Sequence, residues 1–249
     1  GSRPPGAVER ERRSVRILAL DTSTEIAGIA LLDGDRIRFS HSFLHRMDLS
    51  QRLLPTLEWL LRDSGVALDQ VEALGVGLGP GSFTGVRIGV TTIKTLAQVT
   101  GLPVAGIGTL EVMAAGVALG PEALLCPCID ARKHEVYAAA YRAAGNGLVE
   151  VLSPRSLPAA ALASLLGEYP ERIIACGTGA VRYRETLSQA VGARLLIAAG
   201  HDFPDPAALA RLSLRRLEQG ERDDPLSLRP IYARLSEAER NLCGGTGDE

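Results

Sequence analysis

The chain writes one structural pattern twice, and that repetition constrains its fold more than any other feature. "RILALDTS" is an apolar strand whose run ends at Asp21, and "IAGIALLDGD" is a second strand closed by the Asp33-Gly34 turn. Later, "ALLCPCIDARKHEVYAAAYRAAGNG" repeats the order: an apolar strand ending at Asp130, a short polar turn, a second strand and a Gly-Asn-Gly turn. Two units that each begin strand, aspartate, hairpin, strand predict a duplicated mixed α/β protein, and 249 residues suffice for two small domains.

The stretches between follow hydrophobic periodicity. "RIRFSHSF" alternates Ile37, Phe39, His41 and Phe43 on one face of a third strand. A helix follows from about Asp48, with Asp48 and Gln51 in capping-box positions and Leu53, Leu54, Leu57, Leu60 and Leu61 on its apolar face; Pro55 should bend it or mark its first turn. "EALGVGLG" and "PVAGI" read as buried strands, separated by the helix "VRIGVTTIKTLAQVTG". Beyond the second hairpin, "LPAAALASLLGEY", "VRYRETLSQAV" and "DPAALARLSLRRLEQG" read as helices, with "RIIACGTGA" and "ARLLIAAG" as strands.

Between a strand and a helix lies "GPGSFTGVRIG", Gly79 to Gly89. Successive backbone N–H groups and the positive end of the next helix can bind an anion there, with Ser82 and Thr84 as caps or ligands and Arg87 adding a forked charge. The same glycines support a second reading, because Gly85 and Gly89 lie four apart on one helical face and let another helix approach. The residues alone leave both open. Asp21 with Thr22, Ser23 and Thr24 sits where two-lobed ATPases contact phosphate or magnesium, yet an aspartate at a strand end is also an ordinary turn residue. For Asp130 with Arg132, and for "CGTG" at Cys176 to Gly179, the turn is the better account.

Several classes of function are disfavoured. There is no G-x-x-x-x-G-K-[ST], so the chain lacks the phosphate-cradling loop of a P-loop enzyme. Net charge is -2, which argues against direct capture of nucleic acid, although the segment through Arg16 carries five arginines against two glutamates. Cys126, Cys128, Cys176 and Cys243 have neither disulfide nor zinc spacing and read as reduced thiols. His41 and His45 form H-x-x-x-H on a strand rather than a helix, where four residues span about 13 Å, too far to share a metal ion. No apolar run is long enough for a bilayer, so the chain is expected in the cytoplasm.

"ILALDTSTEIAGIALLDGD", "SQRLLP", "GPGSFTGVRIG", "DARKHEVY", "GTG" and "RPIYAR", in this order, resemble the TsaB (YeaZ) family over about residues 15 to 235. The central motif is highly specific; the others are weak alone. The resemblance implies two tandem actin-like, sugar-kinase-like domains of the RNase H-like class, the second reduced. The first would span 15–108 with a returning helix in 205–235, the second 109–204, between flexible tails at 1–14 and 236–249.

It also implies a role in making threonylcarbamoyladenosine (t6A) in tRNA: a noncatalytic subunit that pairs with the catalytic relative TsaD, helps recruit the ATPase TsaE, forms a homodimer when free, and meets tRNA only through the complex. TsaD carries an H-x-x-x-H metal pair where this sequence has Thr109 and Met113, neither of which replaces an imidazole. The chain is therefore expected to have no catalytic residue, no metal and no cofactor of its own, with ATP or ADP only at a complex interface. The implied partner face is formed by Leu49, Arg52, Leu53, Gly85, Arg87, Ile88, Gly89 and Thr92. A vestigial nucleotide site would comprise Asp21, Thr22, Ser23, Gly79, Gly81, Ser82 and Thr84. Leu49 stands where the family often has histidine, and Ala233 where it often has leucine. The alternatives are an active ATPase or small-molecule kinase of the same fold, a metallopeptidase, or a direct tRNA binder.

Overall fold

A computed structural model of the chain describes residues 15–117, 123–145 and 147–233. The tails expected at 1–14 and 236–249, and Cys243, lie outside the described residues. The architecture is two five-stranded mixed sheets with helices on their faces. The first sheet, ordered β3-β2-β1-β4-β5, comprises β1 (Arg16–Asp21), β2 (Ile26–Asp33), β3 (Arg36–Leu44), β4 (Ala73–Gly77) and β5 (Val104–Ile107). The second, ordered β10-β9-β6-β7-β8, comprises β6 (Ala123–Asp130), β7 (Glu135–Ala144), β8 (Gly147–Pro158), β9 (Arg172–Cys176) and β10 (Leu195–Ile197). In each sheet the first three strands form an antiparallel meander and the fourth pairs in parallel with the first, so the repeated pattern becomes repeated topology.

Strand alternation divides each sheet between two cores. Leu18 and Leu20 of β1 face α1 (Leu49–Ser64) and α2 (Phe83–Thr100), whereas Ile17 and Ala19 face α7 (Pro206–Glu218). The second sheet packs one face on α4 (Ala159–Gly167), α5 (Thr178–Arg182) and α6 (Arg184–Val191). Its other face receives Leu110, Met113 and Ala114 of α3 (Thr109–Gly116), while Val112 of α3 joins the α7 core of the first sheet. One short helix thus ties both sheets together. Beyond α7, the segment through Ala233 folds back on the first sheet: Asp223 bridges Val104, Leu228 is buried, and Ile231 donates its N–H to the Leu78 carbonyl at 2.7 Å.

Three local expectations are corrected. Asp48 is the N-cap of α1 but makes no side-chain cap; its Oδ1 instead accepts from the Arg46 N–H, so the capping box does not form. Pro55 sits inside α1, past its first turn. A bulge opposite Leu31 and Leu32 pairs Phe39 with Leu31 and Ile37 with Leu32, which turns Ile37 toward the α7 core and leaves Phe39 and Phe43 on the α1 side. The long edge strand β8 falls where the sequence offers no clear strand signal, since it contains Pro154 and ends at Pro158. An edge tolerates them, since one side of its ladder needs no donor.

Candidate functional site

The turn after β1 and the loop after β4 meet at the C-terminal ends of the parallel strands, a usual ligand position in open α/β sheets. Asp21 ends β1 and is 1% exposed. Its Oδ1 accepts from the Ser23 N–H at 2.7 Å and the Ser23 hydroxyl at 2.6 Å. Its Oδ2 accepts from the Thr109 hydroxyl at 3.3 Å. The Gly79 N–H donates to that same hydroxyl at 3.1 Å, and the Thr109 N–H donates to the Gly79 carbonyl at 2.7 Å. Burial raises the carboxyl pKa of Asp21 against the opposing effect of these donors.

The glycine loop packs against this cluster. The Ser82 N–H donates to the Ser23 carbonyl at 2.7 Å, and a Cβ at Gly81 would stand 2.1 Å from that carbonyl oxygen. Ser82 caps α2 by accepting from the Gly85 N–H at 3.2 Å; Thr84 is an exposed residue of the helix and not its cap. Thr22 donates its hydroxyl to the Gly85 carbonyl at 2.7 Å. Asp21, Thr22, Ser23, Gly79, Gly81 and Ser82 are therefore brought together as expected, but they satisfy one another.

The expected partner face divides in two. Leu49 and Leu53 point into the core under α1, and Gly85 and Gly89 are buried in α2. A Cβ at Gly85 would lie 2.2 Å from the Thr22 carbonyl oxygen, and one at Gly89 2.2 Å from the Thr22 hydroxyl. These glycines admit the chain's own β1–β2 turn, and Leu49 and Leu53 pack inside the chain, so within this structure all four have contacts of their own. Arg52 and Arg87 are exposed, and Ile88 and Thr92 are half-buried.

The sequence reading missed what surrounds them. Leu54, Trp59, Phe83 and Val99 are exposed on α1 and α2, and the Arg87 guanidinium lies 4.0 Å from the Phe83 ring centre. Tyr232 completes this knob, accepting from Arg87 Nε at 3.1 Å with its ring 5.4 Å from Phe83. Its aromatic content was readable in "GSFTG" and "PIYAR", but not the fact that the two segments meet.

The other flagged residues have structural partners. Asp130 bonds the Arg182 guanidinium at 2.9 Å and the Arg132 N–H at 3.0 Å. Gly177 and Gly179 press on the Cys128 backbone. Cys126, Cys128 and Cys176 are buried free thiols, and burial pushes the Cys176 thiol up to about 12. His41 stacks on Phe43, and His45 bonds the Thr24 carbonyl through Nε2 at 2.9 Å. Thr109 and Met113 both point inward, Met113 against Gly177. Among the described residues no cluster of three or more His, Cys, Asp or Glu can hold a metal, and no helix is long and apolar enough to cross a membrane.

Comparison with known proteins matches this arrangement. Residues 46–240 fit the family model described as TsaD, tRNA N6-adenosine threonylcarbamoyltransferase. The Haemophilus influenzae tRNA threonylcarbamoyladenosine biosynthesis protein TsaB is 32% identical over 93% of this chain and 99% of its own length. The solved YeaZ from Pseudomonas aeruginosa superposes with a TM-score of 0.76 at 31% identity, covering 88% of this chain and 99% of that one. An activator of 2-hydroxyisocaproyl-CoA dehydratase from Clostridium difficile, at 10% identity and a TM-score of 0.50, shares the actin-like fold alone. The Bacillus subtilis TsaB is 33% identical over 90% of this chain and 96% of its own length, and the chain belongs to the TsaB (YeaZ) family.

Proposed function

We propose that this chain serves t6A biosynthesis as a noncatalytic subunit that pairs with TsaD, helps recruit TsaE, and is required for threonylcarbamoyl transfer to adenosine 37 of tRNAs reading ANN codons. The observation that carries this reading is the enclosed Asp21 cluster. A working ATPase of this fold needs its first-strand aspartate within reach of magnesium and phosphate, and here both oxygens of that aspartate are held by Ser23 and Thr109. The metal-bearing positions of the catalytic relative are taken by Thr109 and Met113, side chains that cannot serve as imidazole ligands and that already have partners inside the protein.

What remains for function is surface. The partner face consists of Arg52, Arg87, Ile88 and Thr92 with the exposed Leu54 and Phe83, and it serves TsaD in the complex or a second copy when the chain is free. tRNA is met through the complex, and any ATP or ADP sits at a subunit interface rather than in a site owned by this chain. The test is reconstitution of t6A formation on tRNA with TsaD, TsaE and the carbamoyl-adenylate synthase, with and without this chain. Product should require the chain, while the chain alone neither forms product nor hydrolyses ATP. Equal product without it, or ATP turnover by the isolated chain that Asp21→Ala abolishes, overturns the reading.

A further inference from the structure

A cavity of about 460 Å³ opens where α3, the end of α7, the β7–β8 turn and the returning C-terminal segment converge. It adjoins the Asp21 cluster through Leu78 and Gly108 but shares none of that cluster's side chains, and its size suits a small ligand. Leu148, Leu212, Ile107 and Ile231 give it apolar walls. Its charged groups fall into two kinds. Arg216 is fully engaged: it bonds the Gly106 carbonyl at 2.5 Å, both oxygens of Asp223 at 2.6 and 3.1 Å, and Glu221 at 3.1 Å. Glu111 and Arg215 are not, for neither makes a hydrogen bond or ion pair among the described residues.

Glu111 is half-buried on α3, and a desolvated carboxylate without a donor is costly. Arg215 projects from α7 across the β7–β8 turn, its Nη1 3.6 Å from where a Gly147 Cβ would stand. Both line the cavity, and no ion pair joins them among the described residues. That leaves one anionic anchor within, one cationic anchor at the rim and an apolar wall between. We propose that this cavity binds a small zwitterion of the α-amino-acid type, its ammonium on the Glu111 carboxylate and its carboxylate on the Arg215 guanidinium. Because the lining comes from both sheets and from the returning segment, such a ligand would brace the two halves of the molecule.

Burial raises the Glu111 carboxyl pKa; the groups facing it are Arg216 and Arg215, which oppose the shift, Glu150 on β8, which adds to it, and the Tyr141 hydroxyl on β7. Affinity should therefore fall as pH drops through that raised value, because the ammonium loses its anionic partner.

The experiment is calorimetric titration of the full chain with L-serine, L-leucine and L-lysine, each beside its N-acetyl and its amide form. At least one free amino acid should saturate a single site, with its acetylated and amidated forms each at least about tenfold weaker, since each lacks one charge-assisted contact. Glu111→Gln and Arg215→Gln should each cost about the same, with thermal melting confirming that the variants fold; if either fails to fold, the matched ligands on the unaltered chain decide. Absence of saturation by about 10 mM of every free amino acid overturns the proposal. So does an acetylated form that binds as tightly as its parent, which would make the cavity an anion site.

Discussion

The two hairpins that open the two sheets share a plan and differ in what they do with their aspartate. Asp21 is enclosed, held by two hydroxyls and a backbone N–H, and the helix beyond the glycine loop presses Gly85 onto the neighbouring turn. Asp130 is only partly buried, its side chain 17% exposed, and it is paired with an arginine that is 60% exposed as well as with the Tyr183 hydroxyl, although Gly177 and Gly179 press on β6 in the corresponding way. The close approach of glycine to strand is common to both halves, so it belongs to the fold. The enclosure of the acid is particular to the first. Burial and hydroxyl partners, not the letter D at a strand end, separate a keystone from a surface ion pair.

The largest effect should come from filling the close approach in the first half. Gly85→Leu places side-chain atoms where even a Cβ meets the Thr22 carbonyl at 2.2 Å, so the backbone must move. The expected loss exceeds about 4 kcal/mol, read as loss of the cooperative urea transition. Gly89→Ala should cost only about 1 kcal/mol, because the obstructing atom is the Thr22 hydroxyl and alanine favours the helix. A folded Gly85→Leu that lost only its pairing with TsaD would restore the glycines to the partner face.

Asp21→Ala comes next, leaving the Ser23 N–H and the Ser23 and Thr109 hydroxyls without their acceptor in a dry site; about 3 kcal/mol is expected in chemical denaturation. Asp21→Asn sharpens the point through pH. The folded-state pKa of Asp21 is raised, so the stability its protonated form contributes is fully present below the unfolded value near 3.8 and is lost as pH rises through the folded value. The protein with Asp21 should therefore gain on the Asn variant as pH falls across that window, by about 1.4 kcal/mol per unit of elevation. A gap that does not change with pH would mean Asp21 is not desolvated.

Much of this plan is legible in the letters, and the exceptions have physical causes. The apolar runs in "RILALD" and "ALLCPCID" name the strands, and the hairpins that follow them name the repeated plan. Alternation fails at Ile37, because one bulged residue flips everything before it, and at β8, because prolines at an edge look like prolines in a loop. The spacing of Gly85 and Gly89 announces a close approach but cannot name what approaches. Thr109 lies far along the chain from Asp21, so the hydroxyl that completes the acid's enclosure is invisible until β5 is set beside β4. The site was readable as a set of residues; its closure was not.

The second half supplies the smallest effects. Asp130→Ala removes the acceptor for the Arg132 N–H at the hairpin tip as well as for Arg182, and should cost about 1 kcal/mol. Arg182→Ala removes only the ion pair. Its guanidinium is 60% exposed, salt already screens the attraction, and the Arg132 N–H and Tyr183 hydroxyl still hold Asp130; the cost should stay below about 0.5 kcal/mol and shrink in high salt. The ratio between Asp21→Ala and Arg182→Ala in one denaturation series is then the sharpest measure of how far the two halves have diverged. If Arg182→Ala cost as much as Asp21→Ala, Asp130 would be as structural as its counterpart, and solvent exposure would no longer explain why one acid is enclosed by hydroxyls and the other is matched with a charge.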